Sequence, residues 1–383
     1  MLKVLQLIPT LDRSGAEKQM VLLATGLPRA RFRVEVATLT RLGPLEAELR
    51  AARVPVTALG KRFKLDPLAF VRLVRFLRAG RFDVIQTWIF AANTYGRVAA
   101  RLARLPVVVT AEMAVDLWKS PRELAIDRWL AQRTDRVVGN SQAVVDFYRR
   151  KGIPAERLAL IRSGIGAEEP PPVDRAAVRA GFGWPADAFL LVFAGRLAAQ
   201  KGVDDLIAAI DLVQYLLPAL RVLIVGDGPL RPQLEATAAA FRLSGIVRFT
   251  GHRDDVPQLL AAADLLVLPS LYEGLPNIVL EAMQSALPVV ATAAPGTTEV
   301  VIDGQTGLLV PLRAPVALAQ AIRTVVEDPE RARLWGAAGR ARVESEFRAA
   351  TMIDAYASLY EELARARGLP RSEAAPRRTV IRR

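Results

Sequence analysis

The chain has 383 residues, 52% hydrophobic and 24% charged, which is enough apolar mass for folded cores and, by length, for two domains. It has no cysteine and one histidine, His252, so a disulfide scaffold, a thiolate metal site and a cysteine nucleophile are excluded, and a Ser-His-Asp triad has one possible base. Residues 1–170 hold 29 Lys and Arg against 16 Asp and Glu, so the whole net charge of +13 lies in that half and suits an anionic partner.

Short apolar runs alternate with helical patterns from the start. Strands are predicted over 4–8, 34–38, 54–58, 84–87, 107–110 and 136–139, with helices between most of them and one opening at residue 16 behind a loop containing Gly15. Buried parallel strands joined by helical crossovers make a doubly wound α/β domain over 1–168. The stretch Glu168–Ala186 (EEPPPVDRAAVRAGFGWPA) breaks the pattern with three prolines, and a linker is expected over 166–186. Strands follow over 189–194, 221–225, 247–250, 265–268 and 289–292. Helices are expected over 202–216, 230–242, 255–263, 277–286, 315–327, 329–346 and 349–366. The reading is a second Rossmann-like domain over 187–345, a helix over 346–367 that can cross back to the first domain, and a basic disordered tail over 368–383. Two doubly wound domains facing each other enclose a cleft, with ligands at the carboxyl ends of the strands. No run reaches the roughly 20 apolar residues of a membrane span, and the start has no cleavable leader pattern, so the expected location is cytoplasmic or peripheral at the inner membrane face.

Three loops after strands carry candidate chemistry. Gly195-Arg196-Leu197 with Lys201-Gly202 puts two cations at a strand end, where a planar fork and a point charge suit a diphosphate; two solvated surface cations are the alternative. The stretch Ser270–Glu281 (SLYEGLPNIVLE) places Glu273 in a loop and Glu281 about one turn into a helix whose start favours an anion. Such acids either partner the helix dipole or grip sugar hydroxyls, and spacing does not choose. Arg13-Ser-Gly-Ala-Glu17 opens a helix after the first strand but lacks the G-x-G-x-x-G fingerprint.

Taken together, Gly195-Arg196…Lys201-Gly202, Gly226-Asp-Gly-Pro-Leu230, Glu273-Gly-Leu-Pro-Asn…Glu281, Gly251 and Asp303-Gly…Thr306-Gly307 resemble the retaining, GT-B-fold glycosyltransferases of family four. The likeness covers nearly all of the second half and is looser in the first, where Ser14-Gly15-Ala16-Glu17 carries it. It implies two Rossmann-like domains facing across a cleft. Arg196 and Lys201 would bind the donor diphosphate and Glu281 the ribose. Glu273 and the backbone of Gly274, Leu275, Pro276 and Asn277 would contact the sugar, and the loop Gly251, His252, Arg253 would border the base. Gly15 would bring a backbone N–H toward the phosphate. The implied reaction moves a sugar from a nucleotide-sugar donor to a lipid-linked or polysaccharide acceptor in cell-envelope glycan synthesis, with no metal and no other cofactor. Many members carry a histidine near the donor sugar where this chain reads Val109-Thr-Ala-Glu-Met113, which leaves Glu112 to line the site or to serve as an ordinary loop acid.

In the basic half, Arg72, Arg75 and Arg78 share one helical face near Phe70, Val71, Val74 and Leu77. This is either an amphipathic helix for an anionic membrane surface or a packed helix with a solvated arginine face. Trp88 after a strand either lines an acceptor channel or packs in the core. No basic-aromatic motif points to nucleic acid. Two other readings share the architecture: a nucleotide-sugar epimerase, and a protein that holds nucleotide sugar without turning it over.

Overall fold

The structure is a computed structural model describing residues 1–166, 169 and 172–369. Most of the tail expected over 368–383 therefore lies outside the described residues. The chain divides into two compact units: Met1–Gly164 with residues from Ala349 onward, and Ile165–Arg348.

The first unit is built on seven parallel strands, β1 (Leu2–Ile8), β2 (Phe32–Thr38), β3 (Val56–Ala58), β4 (Val84–Trp88), β5 (Val107–Glu112), β6 (Arg136–Gly139) and β7 (Leu158–Leu160), in the order β3-β2-β1-β4-β5-β6-β7. Every residue of β4 and β5 is buried. That is why these strands read as continuous apolar runs: helices cover both faces of the sheet. β7 was not expected; three residues are too few to show a period. The helix Ala349–Ala366 belongs to this unit. Its Tyr360 hydroxyl donates to Gln86 Oε1 and accepts from Gln6 Nε2, each at 3.2 Å, and Arg31 Nη2 pairs with Glu361 at 2.6 Å.

The second unit holds β8 (Phe189–Ala194), β9 (Leu220–Val225), β10 (Val247–Gly251), β11 (Leu265–Leu268), β12 (Val289–Thr292) and β13 (Leu308–Val310), all parallel, in the order β10-β9-β8-β11-β12-β13. Two doubly wound α/β sheets are thus present as expected, with β13 an unforeseen three-residue edge. In each sheet the order reverses once, between β1 and β4 and between β8 and β11, and such switch points hold ligands in doubly wound sheets.

The segment expected as linker is partly structured. Residues Arg175–Gly181 form a helix whose N-cap, Asp174, accepts from Ala177 N at 3.0 Å. Arg179 is buried, donates to the carbonyls of Ala188 and Ala262, and pairs with Asp264 at 2.6 Å. The prolines end two residues before a capping aspartate, so the composition marked the break but hid a helix that belongs to the second unit.

Candidate functional site

In the second unit the loops after β8 and β11 meet at the switch point. Beyond β8, a short 3₁₀ turn at Ala199–Lys201 ends in Gly202, which leads into the helix Val203–Val213. Gly202 has φ +59°, and a Cβ there would lie 2.2 Å from the Pro269 carbonyl oxygen, so only glycine lets the two loops approach so closely. The loop after β11 is pinned by its backbone: Leu271 N donates to Gln200 O at 2.8 Å and Glu273 N to Pro295 O at 3.1 Å. Gln200 Nε2 also donates to Tyr272 O at 2.8 Å, and the Thr292 hydroxyl donates to Ser270 O.

This scaffold brings Lys201 and Glu273 together. Lys201 Nζ lies 2.5 Å from Glu273 Oε1, and the buried Ser270 hydroxyl donates to the same oxygen at 2.6 Å. Lys201 and Glu273 side chains are 17% and 8% exposed, so their attraction is only partly screened by water. Gly195 sits beside the lysine, since a Cβ there would be 3.5 Å from Lys201 Cε. Arg196 is exposed next to it. Gly274, Leu275 and Pro276 are buried, and the Gly274 carbonyl lies where a Cβ on Gly296 would fall. Asn277 begins the helix Asn277–Gln284, whose positive dipole end thus sits at this loop, and half-buried Glu281 stands one turn in.

The loop at the end of β10 is less concentrated. Buried Gly251 bridges to Gly226 and accepts from its N–H at 2.8 Å. Arg253 is engaged with Asp255 through two bonds of 2.7 and 2.5 Å and lies over the Phe182 ring. His252 is largely exposed, its Nε2 3.8 Å from Asp254. Sequence reasoning passed over Gln200 and Thr292, which hold the loops but carry no motif of their own.

In the first unit, exposed Gly15 opens the helix Gly15–Gly26 directly behind β1. Its first turn holds Glu17, which bonds the Ser14 hydroxyl and whose carboxyl is pushed up mainly by burial. Two expectations for this unit need correction. Trp88 is the last residue of β4 and wholly buried; Nε1 donates to Gln6 Oε1 at 2.7 Å and the ring packs on Tyr356, so of the two readings the core one holds. Glu112 is a strand residue, since β5 continues two residues past the expected end, and it too is buried. Ile89, just after β4, has φ +55°, which costs a β-branched residue on the order of 1–3 kcal/mol and marks a strained turn at the carboxyl edge.

Glu112 belongs to a closed polar cluster. Its oxygens accept from Asn93 Nδ2 at 3.0 Å, Tyr148 OH at 3.0 Å and Lys119 Nζ at 3.4 Å. Lys119 also reaches Asp127 at 2.8 Å, Asp116 at 2.9 Å and Tyr148 OH at 2.5 Å, and Arg97 pairs with Asp127 at 2.5 Å. Three carboxylates thus face two cations. Burial above all, opposed by Lys119 and reinforced by Asp127 and Asp116, pushes the Glu112 carboxyl up to about 7. At low pH it is neutral in both the folded and the unfolded chain. Between an unfolded value of about 4.3 and the folded value, the unfolded chain gives up the proton first, so stability falls as pH rises across that window, by on the order of 3 kcal/mol in all. Glu112→Gln removes this titration. Wild type and variant followed by thermal unfolding from about pH 5 to about pH 7.5 should diverge, the wild type losing stability and the variant losing much less.

Two doubly wound sheets, with a cation–carboxylate pair and a helix start gathered at one switch point, have the architecture of GT-B glycosyltransferases. Residues 188–328 match the family described as glycosyl transferases group 1, and residues 13–169 match glycosyltransferase family 4. The glycogen synthase of Mycobacterium tuberculosis is 35% identical over 62% of this chain and 56% of its own length. The alpha-maltose-1-phosphate synthase of Mycolicibacterium smegmatis is 30% identical over 73% of this chain and 79% of that one. Among solved structures, HepE of Anabaena in complex with UDP-glucose is 26% identical and superposes with a TM-score of 0.86, covering 94% of this chain and 100% of that one. The chain belongs to glycosyltransferase family 4.

Proposed function

We propose that the protein transfers a sugar, with retention of anomeric configuration, from a nucleoside-diphosphate sugar to a lipid-linked or polysaccharide acceptor in cell-envelope glycan synthesis. The observation that carries this reading is the Lys201–Glu273 pair beside the start of the helix Asn277–Gln284 at the β8/β11 switch point. The complex of HepE with UDP-glucose supports a nucleotide-sugar donor, and the name of the glycogen synthase relative supports a glycan acceptor.

The chemistry follows from the residue types. As the bond between the anomeric carbon and the β-phosphate oxygen breaks, negative charge gathers on the leaving diphosphate. Lys201, Arg196 and the amide dipoles around Gly274 to Asn277 stabilise that charge, and preformed donors of this kind need no metal to do so. The acceptor oxygen forms the new glycosidic bond on the face the diphosphate leaves. Its proton passes to the departing phosphate oxygen, so no protein base is needed, in keeping with a chain that has a single histidine. Glu281 takes the ribose hydroxyls, Glu273 and the backbone behind it take the sugar, Gly251, His252 and Arg253 border the base, and Gly15 offers its N–H to phosphate.

Thermal unfolding with UDP-, GDP- and ADP-sugars tests the donor side. A sugar nucleotide at about 100 times its Kd adds about 2.7 kcal/mol to the folded state, so one base series should raise the midpoint by several degrees. No shift with any series and no transfer to any glycan or lipid-linked acceptor would sink the reading.

A further inference from the structure

One edge of the first unit presents large apolar side chains to water. Leu65 and Leu68 are 78% and 69% exposed, Leu117 and Trp118 are 60% and 54%, and Phe63 and Trp129 are also exposed. Single exposed hydrophobes are ordinary, but a cluster on two loops and the helices that follow them, Pro67–Gly80 and Pro121–Ala131, calls for a partner.

Neither loop is a loose tip. The Tyr95 hydroxyl accepts from Asp66 N at 2.8 Å and donates to Lys64 O at 3.0 Å. Buried Asp66 accepts from Arg62 N at 2.9 Å and Ala69 N at 3.0 Å, capping the helix Pro67–Gly80. Leu117 and Trp118 stand next to Lys119, whose side chain is wholly buried among Asp116, Asp127 and Tyr148. The Trp118 ring meets Phe90 edge-on at 5.5 Å, and its Nε1 donates to Asp116 at 3.0 Å. Buried charge therefore fixes a turn that holds two hydrophobes outward.

The two loops are neighbours. Tyr95 and Phe90, which support one each, lie on the same helix, Ile89–Ala103. The Glu123 carboxyl, held low first by Ser120, is lowered further by the charge of Lys64 from the other loop. Exposed cations surround the patch: Arg62, Lys64, Arg122 and Arg133, the last lying 4.4 Å over the Trp129 ring. Over 60–81 the one acid, Asp66, is buried, and over 113–133 Asp116 and Asp127 are buried in the polar cluster, leaving Glu123. The arginine stripe expected to dock is less suited: Arg72 bonds the carbonyls of Leu59 and Gly60, Arg78 bonds that of Leu102, and Phe70, Val74 and Leu77 face the core.

We propose that this edge docks on an anionic lipid bilayer, with Phe63, Leu65, Leu68, Leu117 and Trp118 entering the acyl boundary and Arg62, Lys64 and Arg122 meeting the headgroups. Apolar tips interleaved with cations, and tryptophans among them, suit a fluid interface of opposite charge. The docking needs no donor or acceptor, so its failure would leave the transferase reading standing.

The full chain is sedimented with vesicles of phosphatidylcholine alone and with about one-third phosphatidylglycerol, where each basic residue near the surface adds about 1 kcal/mol. Wild type should pellet with the anionic vesicles, much less with the neutral ones, and less as salt rises. The double variant Leu65→Ser/Leu68→Ser should lose at least about tenfold in partitioning, since each buried CH₂ counts for about 0.8 kcal/mol. Its unfolding midpoint should be unchanged, because both side chains are exposed. The matching change in the second unit, Tyr215→Ser/Leu216→Ser, also at exposed positions, should bind as wild type does. No binding by wild type, or equal binding by the Leu65/Leu68 variant, overturns the proposal. So does a dimer in sedimentation velocity that this variant abolishes, which would give the patch to a second copy.

Discussion

Lys201→Ala is expected to cut kcat/KM for sugar transfer by about 10²–10³-fold, the usual loss when one preformed donor to a developing negative charge is removed. The geometry makes this side chain hard to replace. Its stem crosses Gly195, its ammonium is 2.5 Å from Glu273, and the turn that carries it is fixed by Gly202 against Pro269. No second lysine can slide in, because Lys201 is the only lysine in the second unit. The fold should survive. The loop after β11 keeps the bonds from Leu271 N to Gln200 O and from Glu273 N to Pro295 O, and Glu273 keeps its bond from Ser270. The unfolding midpoint should therefore fall by only a few degrees, the cost of leaving one mostly buried carboxylate partly unpaired, about 1–3 kcal/mol. Steady-state kinetics with the matched donor and a thermal melt on the same preparation separate the two effects. Wild-type turnover in a folded Lys201→Ala protein would remove this lysine from the chemistry.

Much of this was legible because local signals and tertiary demands agreed. The parallel strands are largely buried, so β1, β4, β8 and β11 stand out as apolar runs, and the loops after β1, β8 and β11 carry the motif residues. The helices Pro315–Glu327 and Pro329–Glu346 both open on proline at the first turn, where its missing N–H is harmless. What was missed has no local signature. β7 and β13 are three residues long and exist because a neighbouring strand offers them a ladder. Glu112 reads as a site-lining or loop acid because a carboxylate inside a buried strand is costly alone. Its partners Asn93, Lys119 and Tyr148 lie 19, 7 and 36 positions away in the chain, and no pattern of spacing announces them. For Trp88 the sequence leaves a channel lining and core packing equally open until Gln6, 82 positions earlier, is seen to satisfy its indole N–H.

Lys119→Met should be the most destabilising single change in the first unit among those considered, by about 3–5 kcal/mol, the cost of stripping a partner from a buried ion cluster. Methionine fills most of the volume, so the loss is electrostatic and not a cavity. It leaves Glu112, Asp116 and Asp127 facing one another with Arg97 as the nearest remaining cation, paired with Asp127. An exposed ion pair gives the contrast: Arg323→Ala breaks a bond to Glu327 on a helix surface where both side chains are about half exposed, and should cost no more than about 0.5 kcal/mol. The pH dependence identifies the cause. Without Lys119, whose charge opposes the rise, the Glu112 carboxyl is pushed up still further, so it keeps its proton in the folded state at a pH where the unfolded chain has released it. The deficit of the variant should then shrink as pH falls from about 8 to about 5 and the surplus negative charge is neutralised. Denaturant titrations at the two ends of that range measure it. A deficit that stays constant across the range would mean that lost packing, not unpaired charge, is what the lysine prevents, and the cluster would then be a scaffold whose charges matter little to stability.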